Sequence, residues 1–206
     1  MVGIDVDGML MSGLRSSKNL TFVAMMAALG NVLSFISIQL APLVPSIPVG
    51  PVSISLALDF SHLATFITAL YGGPVIGGLT GLIGGLVAAF EFGFSKGNLI
   101  SGFGIPVGKA MTGVVAGLVM SMLRASEKRS MLVPSTVVSY IPEGILTAFI
   151  FISLYPLYFG MPSFLATAIA TQVLVKAVCE MIAMGLVLMF LADNRGFTAY
   201  LKGVFS

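Results

Sequence analysis

The fold of this protein is decided by residues 58–92, which read LDFSHLATFITALYGGPVIGGLTGLIGGLVAAFEF. Two apolar segments flank the tripeptide Gly72-Gly73-Pro74. Glycine adopts positive φ angles without a steric penalty, and proline is favoured at the first position of a helix, so the tripeptide predicts a tight turn between two helices. A helix needs about 20 apolar residues to cross the hydrocarbon core of a bilayer. The stretch therefore predicts two consecutive membrane-spanning helices joined by a short turn.

The composition of the whole chain points to the same class of protein. Of its 206 residues, 57% are hydrophobic and only 9% are charged, and the mean hydropathy is +1.07. Soluble domains carry about 25% charged residues. The chain is therefore predicted to be a multi-pass protein of the cell membrane, surrounded by the lipid bilayer. Its formal net charge of +2 is too small to indicate a nucleic-acid partner.

Several classes of enzyme and metal site are disfavoured by what the sequence lacks. One histidine, His62, cannot build a multi-histidine metal site, and one cysteine, Cys179, cannot form an internal disulfide. There is no Walker-type phosphate loop, so ATP hydrolysis by this chain is not expected. The prediction is a protein that is not an enzyme and has no metal or cofactor of its own.

Apolar segments of membrane length define the predicted architecture. We expect a single all-α domain over residues 1–206, with six transmembrane helices and a short cytoplasmic tail at residues 1–18. The predicted helices cover residues 20–38, 55–71, 74–92, 102–123, 134–155 and 163–192.

The distribution of basic residues predicts the orientation of these helices. Cytoplasmic loops carry an excess of lysine and arginine. With the N-terminus inside, Lys96 alone lies in an outer loop. Seven basic residues then fall on the inner side: Arg15, Lys18, Arg124, Lys128, Arg129, Arg195 and Lys202. We therefore expect both termini to be cytoplasmic.

The first outer loop, residues 39–55, is apolar and carries four prolines, Pro42, Pro45, Pro48 and Pro51. Proline-rich backbone is stiff and extended. Because so apolar a loop is poorly suited to open water, we expect it to fold over the helix bundle as a gate.

Glycines are spaced four residues apart on two of the predicted helices. The third carries Gly73, Gly77, Gly81 and Gly85, and the fourth carries Gly113 and Gly117. Small residues at this spacing allow helix backbones to approach closely within a membrane. Helix packing is the favoured interpretation, and a substrate groove along the glycine face is the alternative.

Ionisable and amide side chains in or beside the apolar segments mark the predicted substrate site. Such groups are costly in a membrane and usually serve a site or pathway. The predicted substrate-binding residues are Glu91, Asn98, Lys109, Glu143, Gln172, Lys176 and Glu180.

Structural roles remain open for several of these residues and their neighbours. Lys176 and Glu180 are four residues apart and could pair with each other. Glu143 could instead pair with Lys176 across the bundle, or Glu143, Lys176 and Glu180 could form a proton or ion relay. Asp59 is explained by the favourable helix dipole at the start of the second helix, and His62 is predicted to be a hydrogen-bonded structural residue.

The order of motifs resembles one known family of membrane proteins. Ala24 and Ala28 lie four apart on the first helix, the apolar outer loop follows, and the stretch 58–78 opens the second helix and its glycine turn. This order resembles the substrate-binding S-components of energy-coupling factor (ECF) vitamin transporters. The resemblance is specific over about residues 22–90 and rests beyond them on helix count, orientation and length.

The resemblance implies a function and a set of partners. It implies a subunit that captures a small water-soluble vitamin from outside and docks on a transmembrane scaffold subunit and two ATPase subunits, which use the ATP. Ala24 and Ala28 would contact the scaffold subunit, and residues 39–55 would gate the pocket. The two lysines within the helices favour an anionic ligand such as pantothenate, biotin or folate, with riboflavin also possible. The alternative is a stand-alone secondary carrier or channel that uses the intramembrane Glu and Lys residues.

Overall fold

The structure, a computed structural model, describes residues 17–49, 52–55 and 58–205. The described chain contains five helical segments that are long and apolar enough to cross a membrane: Ser17–Leu43, Ser61–Lys96, Leu99–Met122, Arg129–Phe159 and Ser163–Asp193. The protein is therefore a helical, multi-pass membrane protein. Residues 1–16 of the predicted cytoplasmic tail lie outside the described residues. Its last two residues, 17 and 18, belong to the first helix.

The helices and strands follow one another along the chain with short connections. The helices are α1 (Ser17–Leu40), α2 (Ser61–Gly84), α3 (Leu86–Phe92), α4 (Leu99–Met122), α5 (Leu132–Ser139), α6 (Ile141–Phe149), α7 (Tyr155–Phe159), α8 (Ser163–Asp193) and α9 (Arg195–Phe205). Single turns of 3₁₀-helix occupy Ala41–Leu43, Phe94–Lys96 and Arg129–Met131, and Ile150–Leu154 forms a π-helical turn. The strands are β1 (Ser46–Val49) and β2 (Val52–Ser55).

Helix α2 contains the turn predicted at Gly72-Gly73-Pro74. Gly73 has φ 81° and ψ −172°, which are not helical angles, and Pro74 begins the next stretch of helix. A Cβ on Gly77 would lie 2.7 Å from the Cβ of Ala69, and a Cβ on Gly30 would lie 3.3 Å from the Ser61 carbonyl oxygen and 3.7 Å from Gly84 Cα. In a straight helix of 24 residues the two ends would be about 36 Å apart. The chain therefore reverses at Gly73, and residues 61–72 and 74–84 pack side by side.

The predicted outer loop has a structure that the sequence analysis did not anticipate. Its first two residues complete α1, and strands β1 and β2 pair as an antiparallel hairpin in which Ser46 faces Ser55. The predicted start of the second helix at residue 55 was therefore wrong, because this residue ends β2 and the helix begins at Ser61. The hairpin contacts α8 through β2.

The predicted fifth helix is divided into shorter segments. Helices α5, α6 and α7 and the π-helical turn replace one continuous helix over residues 134–155. Pro142 and Pro156 each lie in the first turn of a segment, where the missing proline N–H costs no hydrogen bond. The π-helical turn lies beside an internal cavity described below, a setting in which such turns are frequent.

The glycine spacing serves helix packing, as the favoured interpretation predicted. The second half of α2 runs antiparallel to α4. Gly113 faces the Gly77 carbonyl oxygen, Gly117 faces the nitrogen of Pro74, and Gly81 faces the Lys109 carbonyl oxygen. Any Cβ added at these glycines would collide with the backbone of the other helix. The two helices therefore approach as closely as their backbones permit, which holds Lys109 at a fixed position in the bundle.

Gly81→Ala should destabilise the protein because the added methyl group meets the Lys109 backbone rather than a movable side chain. Forcing an extra carbon into a packed interface costs about 1–3 kcal/mol. Thermal unfolding in mild detergent measures the effect. Gly203→Ala is the matched control, since a Cβ at this helical glycine would meet nothing within 4 Å. Equal stability of the two variants would contradict this packing.

The end of the bundle opposite the β-hairpin is closed by α9. Phe22 of α1 and Phe205 of α9 make an edge-to-face contact with ring centroids 5.1 Å apart. The Tyr71 hydroxyl, next to the glycine turn, lies 3.1 Å from that of Thr198, and Arg129 forms an ion pair with Asp193. The start of α1, the turn in α2, the loop after α4 and the C-terminal helix therefore lie at one end of the molecule.

Candidate functional site

A cavity of about 350 Å³ lies toward the β-hairpin end of the bundle. The end of α1 contributes Ser37 and Ile38 to its wall, and the 3₁₀ turn that follows contributes Ala41. The ionisable and amide residues in its lining come from four parts of the chain: Asp59, His62, Lys109, Tyr140, Glu143, Gln172, Lys176 and Glu180. We refer to this space as the polar chamber. Its volume lies within the range of small-molecule sites in proteins.

Asp59 connects the start of α2 to α4 and α8. Its carboxylate accepts a hydrogen bond from the Ser61 backbone N–H at 2.9 Å, and its own N–H donates to Glu180 Oε1 at 2.8 Å. Lys109 Nζ lies 4.0 Å from Asp59 Oδ2 and donates to the Ser61 hydroxyl. Burial of the Asp59 carboxyl is the largest single influence on its pKa and favours the neutral form, but the charges of Lys109 and His62 and the hydrogen bonds from Ser61 together outweigh burial and hold the pKa of Asp59 below its ordinary value.

Glu143 is the centre of a second buried group. Its Oε2 atom lies 3.0 Å from His62 Nε2 and accepts a hydrogen bond of 2.6 Å from the Thr112 hydroxyl. His62, Thr112 and Glu143 belong to α2, α4 and α6, so the group joins three helices. A buried carboxylate is tolerated only when it is paired and hydrogen-bonded, and these contacts satisfy that requirement.

Lys176 and Glu180 form the ion pair that their spacing predicted. Lys176 Nζ lies 3.6 Å from Glu180 Oε1, the same oxygen that accepts from the Asp59 N–H. The Lys176 side chain is 28% exposed, whereas that of Glu180 is 11% exposed. Glu180 therefore links the ion pair on α8 to the start of α2.

A second cavity of about 430 Å³ adjoins the polar chamber, and we call it the apolar chamber. The two share Phe92, Ile105, Tyr140, Glu143 and Val173 in their walls. The rest of the apolar chamber is lined by residues of α4, α6, the π-helical turn and α7: Ser101, Gly104, Thr147, Ile150, Phe151 and Tyr155. Here the Tyr155 hydroxyl lies 2.5 Å from that of Ser101 and accepts a hydrogen bond of 2.6 Å from the Asn98 amide.

The structure brings together five of the seven residues predicted to bind substrate. These five, Lys109, Glu143, Gln172, Lys176 and Glu180, line the polar chamber. The other two lie elsewhere. Glu91 lines a separate surface cavity with Gln39 and Phe90, and Asn98 caps α4 through Ser101. The predicted pairing of Glu143 with Lys176 was wrong, because Glu143 pairs with His62.

Asp59 and His62 line the polar chamber but were not among the predicted site residues. From the sequence, both residues were predicted to have structural roles at the start of the second helix. These roles are present, since Asp59 accepts from the Ser61 N–H and His62 contacts Glu143. The position of Asp59 and His62 in the chamber follows from the packing of α2 against α4, α6 and α8, which has no local sequence signal. Among the described residues, no three His, Cys, Asp or Glu side chains are grouped to hold a metal ion.

Comparison with known proteins identifies the family of this chain. The family model described as the ECF transporter, substrate-specific component matches residues 18–192 of this chain. The chain belongs to this family. The match covers the five long apolar helical segments almost completely, so the resemblance noted in the first half of the sequence extends through α8.

A solved structure supports the fold of this ECF substrate-specific component. The chain is similar to the S component of a bacterial ECF transporter, with a TM-score of 0.58 and 23% sequence identity. The alignment covers 90% of this chain and 98% of that chain. The comparison with curated proteins found no match. The ECF family is a family of transporters, and the described part of this S-component places a charged cavity inside its helix bundle.

Proposed function

We propose that this protein is the substrate-binding membrane subunit of an ECF-type importer and that the polar chamber holds its substrate. One observation carries the proposal: six Asp, Glu, His and Lys side chains from separate segments converge on a cavity within an apolar bundle. Buried ionisable groups are expensive in a membrane protein and generally mark a functional site. Lys109, Glu143, Gln172, Lys176 and Glu180 contact the substrate or position the groups that do, together with Asp59 and His62.

The substrate is a small water-soluble vitamin or a related compound, with pantothenate, biotin, folate and riboflavin as the classes first considered. The two chambers support a ligand of this size, since each lies within the volume range of small-molecule sites. The polar chamber receives the hydrogen-bonding part of the molecule, and the apolar chamber receives its ring or hydrocarbon part.

Residues 39–55 act as the gate over the chamber. The end of α1 that leads into this segment lines the polar chamber, and β2 contacts α8, which carries Lys176 and Glu180. A hairpin attached at one side to the chamber wall can open by pivoting at its ends. Substrate binding orders the hairpin, which then shields the ligand from water.

The membrane topology is six crossings with both termini in the cytoplasm. The reversal at Gly73 supports two crossings within residues 61–96. The basic residues of the described chain other than Lys96, Lys109 and Lys176 lie in the segments gathered at the end closed by α9, which agrees with the positive-inside rule. The polar chamber then opens to the outside.

Docking on the scaffold subunit uses the face of α1 that contains Ala24 and Ala28. Both alanines are exposed, whereas Ala27 and Gly30 on the other face are buried. Small exposed side chains give a smooth stripe that a second helix can approach closely. The two ATPase subunits of the complex then supply the energy, and this chain supplies recognition.

Reconstitution in lipid vesicles tests this function. Vesicles that contain this protein with its scaffold and ATPase subunits should accumulate the vitamin only when ATP is present. Vesicles that contain this protein alone should bind the vitamin and not transport it. Transport by the isolated chain, driven by an ion or proton gradient, would contradict the proposal and establish the secondary carrier as the function.

A further inference from the structure

The charges in the polar chamber do not favour an anionic ligand. Its wall contains the carboxylates Asp59, Glu143 and Glu180, but only two lysines, Lys109 and Lys176. Among the described residues, His62 and the Tyr140 hydroxyl are the other titratable groups in this wall. The chamber therefore has a net charge of −1 with a neutral His62 and of zero with a protonated one, and in neither state is there an excess of positive charge.

Both lysines are already engaged by the protein. Lys109 is 4% exposed, donates to Ser61 and lies near the Asp59 carboxylate. Lys176 forms its ion pair with Glu180. An anionic ligand would compete with Asp59 or Glu180 for one of these lysines, and a carboxylate that lost its lysine would be left in a buried site without its compensating charge, which costs several kcal/mol. The presence of two lysines in the helices is therefore a poor guide to the charge of the ligand.

The carboxylates retain capacity to accept hydrogen bonds. In the described part of the chain, the hydrogen bonds and ion pairs of Glu143 all use Oε2, and those of Glu180 all use Oε1. A carboxylate accepts about four hydrogen bonds in total. Within the described residues the second oxygen of each glutamate takes part in no hydrogen bond or ion pair, and we assign it to an N–H or O–H donor of the ligand.

The apolar chamber also limits the shape of the ligand. Glu143 lies in the wall that the apolar chamber shares with the polar chamber, and Phe92, Phe151 and Tyr155 also line the apolar chamber. Aromatic side chains offer flat apolar surfaces that suit a ring. A ligand that fills both chambers has an apolar or aromatic part at one end and hydrogen-bond donors at the other.

We propose that the substrate is a neutral or cationic molecule whose amine, amino-heterocycle or hydroxyl donors bind the carboxylates of Glu143 and Glu180 while its apolar ring occupies the apolar chamber. This inference rests on the proposed function and narrows its substrate class. It revises the preference for a carboxylate vitamin that the two lysines suggested.

Pairs of ligands that differ in charge test the proposal. The purified protein is titrated by calorimetry with biotin and biotinamide, pantothenate and panthenol, 4-pyridoxate and pyridoxamine, and thiamine monophosphate and thiamine. In the pair that binds, the neutral or cationic member should bind at least about tenfold more tightly, because it leaves the buried ion pairs intact. Equal or tighter binding of the more anionic member would overturn the inference and leave the proposed function standing. Failure of all these compounds, and also of folate and riboflavin, to bind would overturn the proposed function and this inference with it.

Two substitutions within one ion pair provide an independent test, in which the affinity for the tightest-binding compound of the calorimetric titration is measured. Glu180→Gln removes a negative charge but keeps an oxygen that can accept from the Asp59 N–H, and it should weaken binding at least about tenfold. Lys176→Gln removes a positive charge from the same pair and should tighten binding of a cationic ligand by roughly threefold. Size-exclusion profiles and thermal unfolding verify that each variant is folded. The opposite ranking, with Lys176→Gln abolishing binding and Glu180→Gln improving it, would overturn the inference.

Discussion

Replacing Ala24 and Ala28 together with tryptophan should abolish ATP-dependent uptake while leaving vitamin binding intact. Both alanines are exposed on α1 and neither lines the polar or the apolar chamber. Two large rings on this face would hold a partner helix away from the close contact that small residues permit. The dissociation constant of the ligand should stay within about twofold of the wild-type value, because the substitutions are remote from the chamber.

The matched control is a pair of tryptophans at the same spacing on another exposed face. Val175 and Cys179 on α8 are both exposed and four residues apart. Uptake and pull-down of the scaffold subunit are measured for both double variants in the same vesicles. Normal uptake by the Ala24→Trp/Ala28→Trp protein, or an equal loss in the control, would exclude this face of α1 as the docking surface.

Lys109→Met should lower the free energy of unfolding by about 3 kcal/mol, because it leaves the Asp59 carboxylate without its cation and Ser61 without its donor. For a chain of this size the corresponding fall in Tm is roughly 6–12 °C. The loss should shrink as the pH is lowered. The charge of Lys109 is the largest of the effects that lower the pKa of Asp59 against its burial, so the stabilisation from this pair is fully present above the ordinary pKa and is lost as Asp59 is protonated.

A second substitution separates the lost charge pair from simple loss of packing. Asp59→Asn in the Lys109→Met background removes the unpaired charge and retains an oxygen that can accept from the Ser61 N–H. The double variant should regain part of the lost stability. Lys128→Met, at an exposed position in the loop after α4, should leave Tm unchanged. A double variant less stable than Lys109→Met alone would contradict the role given to this pair.

Features that depend on nearby residues were predictable from the sequence. The apolar segments located the long helices, the glycines and Pro74 located the reversal in α2, and the spacing of Lys176 and Glu180 predicted their ion pair. Each of these follows from residues that are neighbours along the chain. Five of the residues that were marked only because they place an ionisable or amide side chain in an apolar segment line one chamber.

Features that depend on helix rotation and distant packing were not predictable. His62 pairs with Glu143 across 81 positions of sequence, and nothing beside either residue indicates the partner. Asp59 and His62 had sufficient local explanations, which concealed their position in the chamber. The hairpin was missed because Pro48 disfavours a strand, yet in a two-stranded sheet both strands are edges, where proline is tolerated.

Native mass spectrometry of the protein, purified in mild detergent from cells grown in rich medium, tests the central claim most directly. The account predicts a bound small molecule at one copy per chain, and its mass would identify the vitamin. Glu180→Gln, which alters one carboxylate of the polar chamber, should carry less of this molecule than Lys128→Met does. A spectrum of ligand-free protein that persists after incubation with a panel of water-soluble vitamins would contradict capture of a vitamin by this chain.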